Sequence, residues 1–377
     1  MTQRKFPAVF MRGGTSKAIM FHARDLPAAR SEWDAIFLSA MGSPDPNGRQ
    51  LDGMGGGISS LSKVCVIAPS EREDADIDYT FAQVQVKEAR VDYGANCGNM
   101  SSAVGPFAVE EGLVPAVDGE ATVRIFNTNT RKIIHSTFGV HGGRAAVEGV
   151  LAIPGVAGTG APIRLDFVDP GGATTGRLLP SGNASDVLDV PGLGRIEVSM
   201  VDAANACAFV AAEALGLKGT EMPDELERTA VAMEQLAAIR LHASVAMGIA
   251  RTLDEARART AVPFIGFVSP AQDAPTLSGE RLPATAAEVT LRMISNGQPH
   301  RALPLTASLC AAVAARIEGT TIWKAARRDA GDTLRLAMPS GVLTVGAEVR
   351  HGNAGWNATR GSFYRTARRL FDGYVYV

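Results

Sequence analysis

The fold is decided by Val9-Phe10-Met11-Arg12-Gly13-Gly14-Thr15-Ser16-Lys17-Ala18-Ile19-Met20-Phe21, which predicts a strand, a turn of small residues and a second strand. About 190 residues later the same form returns as Val198-Ser199-Met200-Val201-Asp202-Ala203-Ala204-Asn205-Ala206-Cys207-Ala208-Phe209-Val210. This repeat indicates that the chain consists of two similar halves.

Two further pairs of segments follow in the same order. The strand Lys63–Pro69 has a counterpart in Pro263–Pro270. Val84–Val86 leads into a cysteine loop and a helix, and Val289–Met293 leads into the loop Ser295-Asn296-Gly297-Gln298-Pro299-His300-Arg301 and a helix. Each half is therefore expected to be a curved sheet with one central helix.

The repeat also predicts the domain boundaries. We expect one domain over residues 1–185, joined by a C-terminal strand from about 365–377, and a second over residues 186–364. If the halves face each other, both helix N-termini lie at a shared cleft, and clefts between domains are the usual ligand sites.

Strand patterns outnumber helix patterns and do not alternate with them, which favours an α+β fold with mostly antiparallel sheets over a doubly wound one. Strands are predicted at Phe6–Phe10, Lys63–Ile67, Phe81–Val86, Val123–Phe126 and Ile163–Val168. Helices are predicted at Ser31–Met41 with a Ser-x-x-Asp cap, at Ser102–Glu111 before Gly112, at Asp224–Met247 and at Ala307–Ile317.

Composition and charge narrow the function classes. The 377 residues are 46% hydrophobic and 20% charged, with a net charge of -2, which argues against a nucleic-acid or anionic-membrane binder. The N-terminal residues lack the apolar core of a signal peptide and no apolar run is long enough to span a membrane, so neither feature is expected. The four cysteines are scattered and the six histidines dispersed, so we expect a cytoplasmic, metal-free protein without disulfides.

The segment Gly94-Ala95-Asn96-Cys97-Gly98-Asn99-Met100-Ser101-Ser102 places a cysteine in a small-residue turn before a predicted helix. Backbone N–H groups in such a turn can approach a ligand closely, and a helix N-terminus favours anions and lowers the pKa of a thiol. The loop could therefore bind a carboxylate and present a proton-transfer group to it. The alternative is a buried structural cysteine.

Two other loops are glycine-rich, Arg12–Lys17 and Asp52–Ser60. Neither matches a dinucleotide or Walker fingerprint, so each is either a ligand-binding turn or a plain turn. Lys63 follows the second loop at the start of an apolar strand. It either extends to water or points into a closed cleft, where desolvation would free a basic amine.

In the second half, His300 and Arg301 precede the Ala307 helix. Arginine binds carboxylates through paired hydrogen bonds, which makes this loop a candidate carboxylate site. A surface salt bridge for Arg301 and a hydrogen-bonded loop histidine are the alternatives. The Arg368-Arg369 pair is expected on a solvated surface.

An ordered set of motifs resembles the PrpF-type isomerases. These motifs are Met11–Lys17, Met41-Gly42-Ser43-Pro44, Asp52–Gly56, Ser60–Val64 and Asp92–Asn99. The family includes 2-methylaconitate cis-trans isomerase, methylitaconate Δ-isomerase and 4-oxalomesaconate tautomerase. The resemblance implies a diaminopimelate-epimerase-like fold with two pseudo-symmetric domains, and action on small unsaturated di- or tricarboxylates without metal or organic cofactor.

The resemblance also implies that Lys63 and Cys97 are the catalytic pair. In our hypothesis Lys63 removes a proton beside the double bond, backbone N–H groups stabilise the dienolate, and Cys97 protonates the far carbon, with the roles reversible. The predicted substrate-binding residues come from four loops: Arg12, Gly13, Gly14, Thr15, Ser16, Gly55, Gly56, Asn96, Gly98, Asn99, Met100, Ser101, His300 and Arg301. A homodimer is the candidate assembly.

Two alternatives stay open. An amino-acid racemase of the same fold would pair two cysteines, but the second-half loop carries Pro299 and His300, and Cys310 lies in a predicted helix. A non-catalytic carboxylate-binding protein would keep the fold without turnover.

Overall fold

A computed structural model describes residues 3–94, 96–259, 262–295, 297–328, 333–353 and 355–377. Met1 and Thr2, together with Ala95 and Asn296 of the two loops compared above, lie outside the described residues.

Strands predominate along the chain. The earlier elements are β1 (Lys5–Gly13), β2 (Ser16–His22), α1 (Trp33–Met41), β3 (Lys63–Pro69), β4 (Ile77–Val84), β5 (Val91–Asp92), α2 (Gly98–Glu110), β6 (Gly119–Asn127), β7 (Lys132–His141), β8 (Arg144–Ala145) and β9 (Ile163–Val168). The later elements are β10 (Asp186–Val190), β11 (Gly194–Ala203), β12 (Asn205–Ala211), α3 (Pro223–Arg228), α4 (Ala230–Ala246), α5 (Leu253–Ala258), β13 (Phe264–Pro270), β14 (Ala274–Pro275), β15 (Arg281–Leu282), β16 (Val289–Ser295), β17 (Gln298–Pro299), α6 (Leu305–Ala314), α7 (Thr321–Ala325), β18 (Thr333–Met338), β19 (Gly341–Gly352), β20 (Gly355–Arg365) and β21 (Ala367–Tyr376).

The chain divides into two compact units. The first comprises Met1–Asp166 with Tyr364–Val377, and the second comprises Phe167–Phe363. Residues 167–185, which the repeat assigned to the first domain, group with the second unit. The reason is hydrogen bonding to β11, since Gly172 N–H donates to the Asp202 carbonyl (2.8 Å) and Asp202 N–H to the Leu178 carbonyl (2.9 Å).

The two units have the same succession of strand pairings. In the first unit β1–β2, β3–β4 and β6–β7 are antiparallel, whereas β2–β3 and β4–β6 are parallel. In the second unit β11–β12, β13–β16 and β18–β19 are antiparallel, whereas β12–β13 and β16–β18 are parallel. β21 adds an antiparallel strand to β1. The repeat is therefore visible in the topology as well as in the sequence.

Each unit encloses one helix. Eleven of the 13 residues of α2 are buried, and α2 contacts β1, β2, β3, β6, β7, β8 and β21. All ten residues of α6 are buried, against β11, β12, β18 and β19. Small residues allow this close approach, and a Cβ added to Gly105 of α2 would lie 2.6 Å from Ser136 Oγ. The predicted architecture, a mostly antiparallel sheet around a central helix, is confirmed.

The opposite face of the first sheet packs on α1. Phe37 of α1 lies in one apolar cluster with Phe21 of β2 and with Val64 and Val66 of β3. Side chains alternate between the two faces of a strand, so Lys63 and Cys65 project toward α2. The pleat of β3 thereby places Lys63 on the side of the central helix.

Several predicted boundaries shift. α1 starts at Trp33 after a 3₁₀ turn over Arg30–Glu32, so the predicted Ser31 cap is wrong. The helix predicted at Asp224–Met247 is two helices, α3 and α4, because Thr229 leaves the helical conformation (φ −99°, ψ 74°). Among the described helices, none is long and apolar enough to cross a membrane.

The expectation of a solvated Arg368-Arg369 pair is wrong for Arg369. Its guanidinium donates to Glu110 Oε2 (2.7 Å) and Glu111 Oε1 (2.6 Å), at the end of α2. Glu111 also contacts His22 Nε2 at 3.0 Å. Burial acts in the opposite direction, but the hydrogen bonds from His22 and Arg369 hold the pKa of Glu111 below its usual value. The cluster ties β21 to the central helix.

Replacing Gly105 with Ala is expected to destabilise the protein by about 1–3 kcal/mol, because the new methyl group meets Ser136 and Phe138 inside a packed core. Urea denaturation measures the change. Gly139→Ala is the control, since the nearest atom to its added Cβ is 3.5 Å away. Equal stabilities of the two variants would contradict this account of the packing.

Arg369→Met is expected to lower the free energy of unfolding at pH 7 by about 1–2 kcal/mol. A carboxyl group whose pKa is lowered by folding contributes stability above its unfolded pKa of about 4.3, and this contribution is lost as the pH falls through the folded pKa. The difference from wild type should therefore shrink below about pH 4. Denaturation at several pH values measures this, with exposed Arg368→Met as the control. A difference independent of pH would contradict the role of Glu111.

Candidate active site

Cys97 lies at the N-terminus of α2. The helix begins at Gly98, four residues before the predicted start, and Cys97 is the residue that precedes it. The Ser101 N–H already donates to the Cys97 carbonyl (2.9 Å). The first-turn N–H groups of an α-helix have no partner within the helix, and here they belong to Gly98, Asn99 and Met100. The half-buried Cys97 thiol therefore adjoins backbone donors suited to an anion.

The Gly13-Gly14 turn packs on this helix end. A Cβ on Gly13 would lie 2.6 Å from the Asn99 carbonyl, and one on Gly14 (φ +52°) would lie 2.1 Å from Asn99 Oδ1. The Asn99 side chain accepts from Thr15 N–H (3.3 Å) and donates to Thr15 Oγ1 (3.1 Å). Two predicted binding loops thus meet, with Ser16 buried at the start of β2.

Two arginines flank the turn. Arg12 Nη1 donates to the carbonyls of Gly14 (3.0 Å) and Thr366 (2.9 Å), so the observed role of Arg12 is to hold the turn. Arg365 Nε donates to Asn99 Oδ1 (3.3 Å), and burial lowers the pKa of Arg365 to about 9. Sequence reasoning missed Arg365 because it is more than 260 residues away along the chain. Substrate binding by Arg12 stays a prediction.

Lys63 is buried, with 8% of its surface exposed, so the alternative in which it extends to water is wrong. Its Nζ donates to Gln83 Oε1 at 2.5 Å and lies 5.0 Å from the centre of the Phe81 ring. β3 and β4 pair Lys63 directly with Gln83. Both neighbours are uncharged, so they hold the amine without neutralising it.

Cys65 lies two residues after Lys63 on β3, faces α2 and is fully buried. Burial raises the pKa of Cys65, the neighbouring Cys97 raises it further, and Lys63 acts in the opposite direction. Tyr79, whose hydroxyl is 3.8 Å from Cys65 Sγ, has its pKa raised by burial and then by Cys65 and Cys97. Lys63 projects from β3 toward α2, and Cys97 directly precedes α2, so both predicted catalytic residues lie on the central-helix side of the first unit's sheet.

A chain of asparagines fixes the Cys97 loop. Fully buried Asn127 donates from Nδ2 to Asn96 Oδ1 (2.9 Å), and its Oδ1 accepts from the N–H groups of Asn129 (3.0 Å) and Thr130 (2.9 Å). Asn129 donates in turn to the Tyr93 carbonyl (2.6 Å). The Asn-Thr-Asn-Thr turn at the end of β6 is the sequence feature that could have predicted this network, and sequence reasoning missed it. Ligand contact by Asn96 stays a prediction.

The remaining first-unit residues have structural roles. Ser101 is fully buried and donates to the Cys97 carbonyl (3.1 Å), and Met100 is fully buried. A Cβ on Gly55 would lie 2.2 Å from Gln50 Oε1, and one on Gly56 would lie 2.6 Å from Leu61. Gly55 and Gly56 are therefore needed for packing of their loop, and their contact with a ligand stays a prediction.

In the second unit, Arg301 forms a surface salt bridge with Asp224 at 3.0 Å, which is the alternative predicted for it from the sequence. His300 Nδ1 accepts a hydrogen bond from the Ala302 N–H (3.1 Å), and burial lowers the pKa of His300. Its Nε2 therefore carries the proton in the neutral ring and can donate. Substrate binding by His300 and Arg301 stays a prediction.

The described residues contain no group of three His, Cys, Asp or Glu side chains placed to hold a metal ion. Among the cysteines, Cys65, Cys207 and Cys310 are buried and Cys97 is half-buried.

Known proteins match this chain over essentially its whole length. The sequence profile of the PrpF protein family matches residues 3–377. The chain is 42% identical to the 3-methylitaconate isomerase of Eubacterium barkeri, 38% to the 4-oxalomesaconate tautomerase of Pseudomonas putida and 36% to the 2-methyl-aconitate isomerase of Shewanella oneidensis. Each alignment covers 100% of this chain and 97–98% of the relative.

Solved structures show the same fold. The crystal structure of a methylitaconate-delta-isomerase matches with a TM-score of 0.89 and 41% identity, over 100% of this chain and 96% of that chain. A hydroxyproline epimerase from Agrobacterium vitis matches with a TM-score of 0.54 and 12% identity, over 99% and 93%. The second likeness shows the fold alone, which confirms the predicted epimerase-like class.

Cys97 is expected to be the one thiol that reacts rapidly with a disulfide reagent in the native protein, because the other three cysteines are buried. Titration with 5,5′-dithiobis(2-nitrobenzoate) measures this, and guanidinium should release all four thiols. Cys97→Ser should abolish the rapid phase, whereas Cys207→Ala should keep it. A rapid phase that survives Cys97→Ser would contradict the assignment.

Proposed function

Because the chain belongs to the PrpF family, we propose that it moves a proton across the allylic system of a small unsaturated di- or tricarboxylate, with Lys63 and Cys97 as the proton-transfer groups. The chain is an isomerase, since its full-length relatives are named isomerases or tautomerases. The substrate class and the roles of the two residues are the proposal.

The proposal rests mainly on one observation. A buried lysine on the α2 side of β3 and a half-buried cysteine at the N-terminus of α2 lie on the same side of the first unit's sheet. An amine and a thiol are two groups that can give and take protons near neutral pH once their surroundings favour it. The partners of the Lys63 amine, Gln83 and the Phe81 ring, are uncharged and do not pair it with a carboxylate.

The helix end supplies the carboxylate site. Positive partial charge and first-turn N–H groups at Gly98–Met100 favour a carboxylate oxygen beside Cys97. The Gly13-Gly14 turn, fixed against Asn99, holds these first-turn N–H dipoles in place. As negative charge spreads from the reacting carbon onto the carboxylate, these dipoles would stabilise the dienolate.

The proposed reaction balances without a cofactor. The C–H bond beside the double bond breaks, and its proton goes to the Lys63 amine. The electron pair moves through the allylic system into the conjugated carboxylate, and Cys97 supplies a proton to the far carbon. The double bond shifts, or its geometry changes, and no electron leaves the substrate. For a different substrate the two residues exchange roles, and proton exchange with water restores both.

The names of the relatives limit the class of substrate that we propose. Their names specify 3-methylitaconate, 2-methylaconitate and 4-oxalomesaconate, all unsaturated polycarboxylates. The proposed substrate of this chain belongs to that class, and the 42% identity to the methylitaconate enzyme makes methylitaconate the first compound to test.

We also propose a cytoplasmic location and a homodimer. The four free cysteines support the first, since thiols persist in reducing compartments. The second is supported by the exposed apolar side chains of β21, which are Leu370, Phe371, Tyr374 and Tyr376.

A racemase is the second candidate reaction. Its two-thiol mechanism finds no support in the second unit, where Cys207 and Cys310 are fully buried and Cys310 donates to the Val201 carbonyl (3.3 Å). Pro304 occupies the N-terminal position of α6 that corresponds to Cys97 of α2.

The test is proton exchange in D₂O with cis-aconitate, methylitaconate and 4-oxalomesaconate, followed by NMR. Wild type should isomerise one of them with deuterium incorporation, and Lys63→Ala or Cys97→Ser should lower kcat by about 10²- to 10⁴-fold. Cys207→Ala, a thiol of the other unit, should keep kcat. Full activity of Lys63→Ala would overturn the residue roles, exchange at an amino-acid α-carbon would favour the racemase, and no exchange would favour a binding protein.

A further inference from the structure

We infer that Gln83, to which neither the sequence motifs nor the family resemblance gave a role, is a positioning residue that fixes the direction of the Lys63 amine and couples it to the glycine-rich loop. The inference rests on the proposed function for its catalytic meaning. Its structural part, the action of Gln83 on Lys63, stands on the contacts alone.

The Gln83 carboxamide is held in one orientation. Its Nε2 donates to the carbonyls of Ser59 (3.0 Å) and Ser62 (2.9 Å), and a third carbonyl, that of Val84, lies at 3.3 Å. Turning the amide over would place Oε1 against these carbonyl oxygens, where nothing donates. The oxygen of Gln83 therefore faces Lys63 and accepts from Nζ at 2.5 Å.

This orientation determines where the lysine can act. A carboxamide oxygen only accepts, so one N–H of Lys63 points to Gln83 in both protonation states. In the neutral amine the lone pair must then point away from Gln83. With the opposite amide orientation, the NH₂ group would donate to that lone pair and block proton abstraction. Gln83 thus leaves the lone pair free for a substrate proton.

The same residue connects Lys63 to the loop before it. Ser59 lies in the 3₁₀ turn Ser59–Leu61, at the end of the Asp52–Ser60 loop, and Ser62 directly precedes Lys63. The hydroxyl of Ser62 donates to Gln50 Oε1 (2.7 Å), which also accepts from the Gly57 N–H (2.9 Å). The side chains of Gln50 and Gln83 therefore both hold the backbone of this loop. Because Gln83 also accepts from Nζ, the position of the loop determines the position of the Lys63 amine.

Two variants separate positioning from mere packing. Gln83→Met keeps the size of the side chain and removes both the acceptor and the donors. Gln83→Glu keeps an acceptor for Nζ, places a negative charge beside it, and loses the donors to the Ser59 and Ser62 carbonyls. Other titratable groups face this region, namely Cys65 of β3, Cys97 at the N-terminus of α2 and Asp92 of β5, which pairs with Gln83, and they are the same in both variants.

The first measurement needs no substrate. In protein labelled with ¹³C-lysine, the Lys63 Cε signal, assigned by its loss in Lys63→Arg, is titrated by NMR. Gln83→Glu should shift the Lys63 titration to higher pH and Gln83→Met to lower pH, because a carboxylate stabilises the ammonium and loss of the acceptor destabilises it. Titrations that coincide with wild type in both variants would overturn the inference, whether or not the protein is an isomerase.

The second measurement uses the substrate that wild type turns over in the exchange assay. Gln83→Met should lower kcat by about 10- to 100-fold with little change in KM, the scale expected for a misdirected catalytic group. In the Lys63→Ala background the same change should have no further effect on the residual rate. Gln85→Met, two residues away on the same chain segment, should leave kcat unchanged. An equal loss with and without Lys63 would show that Gln83 acts on something else.

Discussion

The structure depends on a helix that is surrounded on all sides by its own sheet. No polar side chain of α2 can reach water along most of its length, so its serines turn back onto the helix, with Ser101 bonded to the Cys97 carbonyl and Ser102 to the Asn99 carbonyl (2.6 Å). Ser308 of α6 does the same toward Pro304 (3.0 Å). A helix enclosed in this way interacts with a ligand only through its ends. The N-terminus of α2, with no side-chain cap, is where the chain leaves donors for an anion.

The pleat of the first unit's sheet fixes the position of Lys63, the second predicted catalytic residue. Val64 and Val66 face α1, so Lys63 must face the central helix, although burying an amine is costly unless it is hydrogen-bonded. Gln83, its pairing partner on β4, supplies that hydrogen bond, and the Phe81 ring lies against the amine. A one-residue slip of β3 would move Lys63 to the apolar α1 face, so the register and the chemistry are specified together.

The sequence was sufficient where local patterns decide the structure. The strand–turn–strand repeat predicted the paired topology of β1–β2 and β11–β12, and the ordered glycine, lysine and cysteine motifs predicted the family. It left open, or missed, what the environment decides. The burial of Lys63 depends on the face of β3, and the contact of Arg365 with Asn99 depends on the return of the C-terminal strand to β1. The start of α2 was missed because Gly98 and Asn99 are poor helix formers, and the packing around them overrides that preference.

The neutrality of Gln83 bears on the kind of substrate the first unit can take. A carboxylate at that position would hold Lys63 as the ammonium, which cannot accept a proton, and would repel a polycarboxylate. An amide oxygen satisfies the buried amine without adding a negative charge beside it. Arg365, bonded to Asn99 through a side-chain amide oxygen, shows the same choice of a neutral acceptor. Amide acceptors beside Lys63 and Arg365 add no negative charge to this region, which favours the entry of an anion bearing two or more carboxylates.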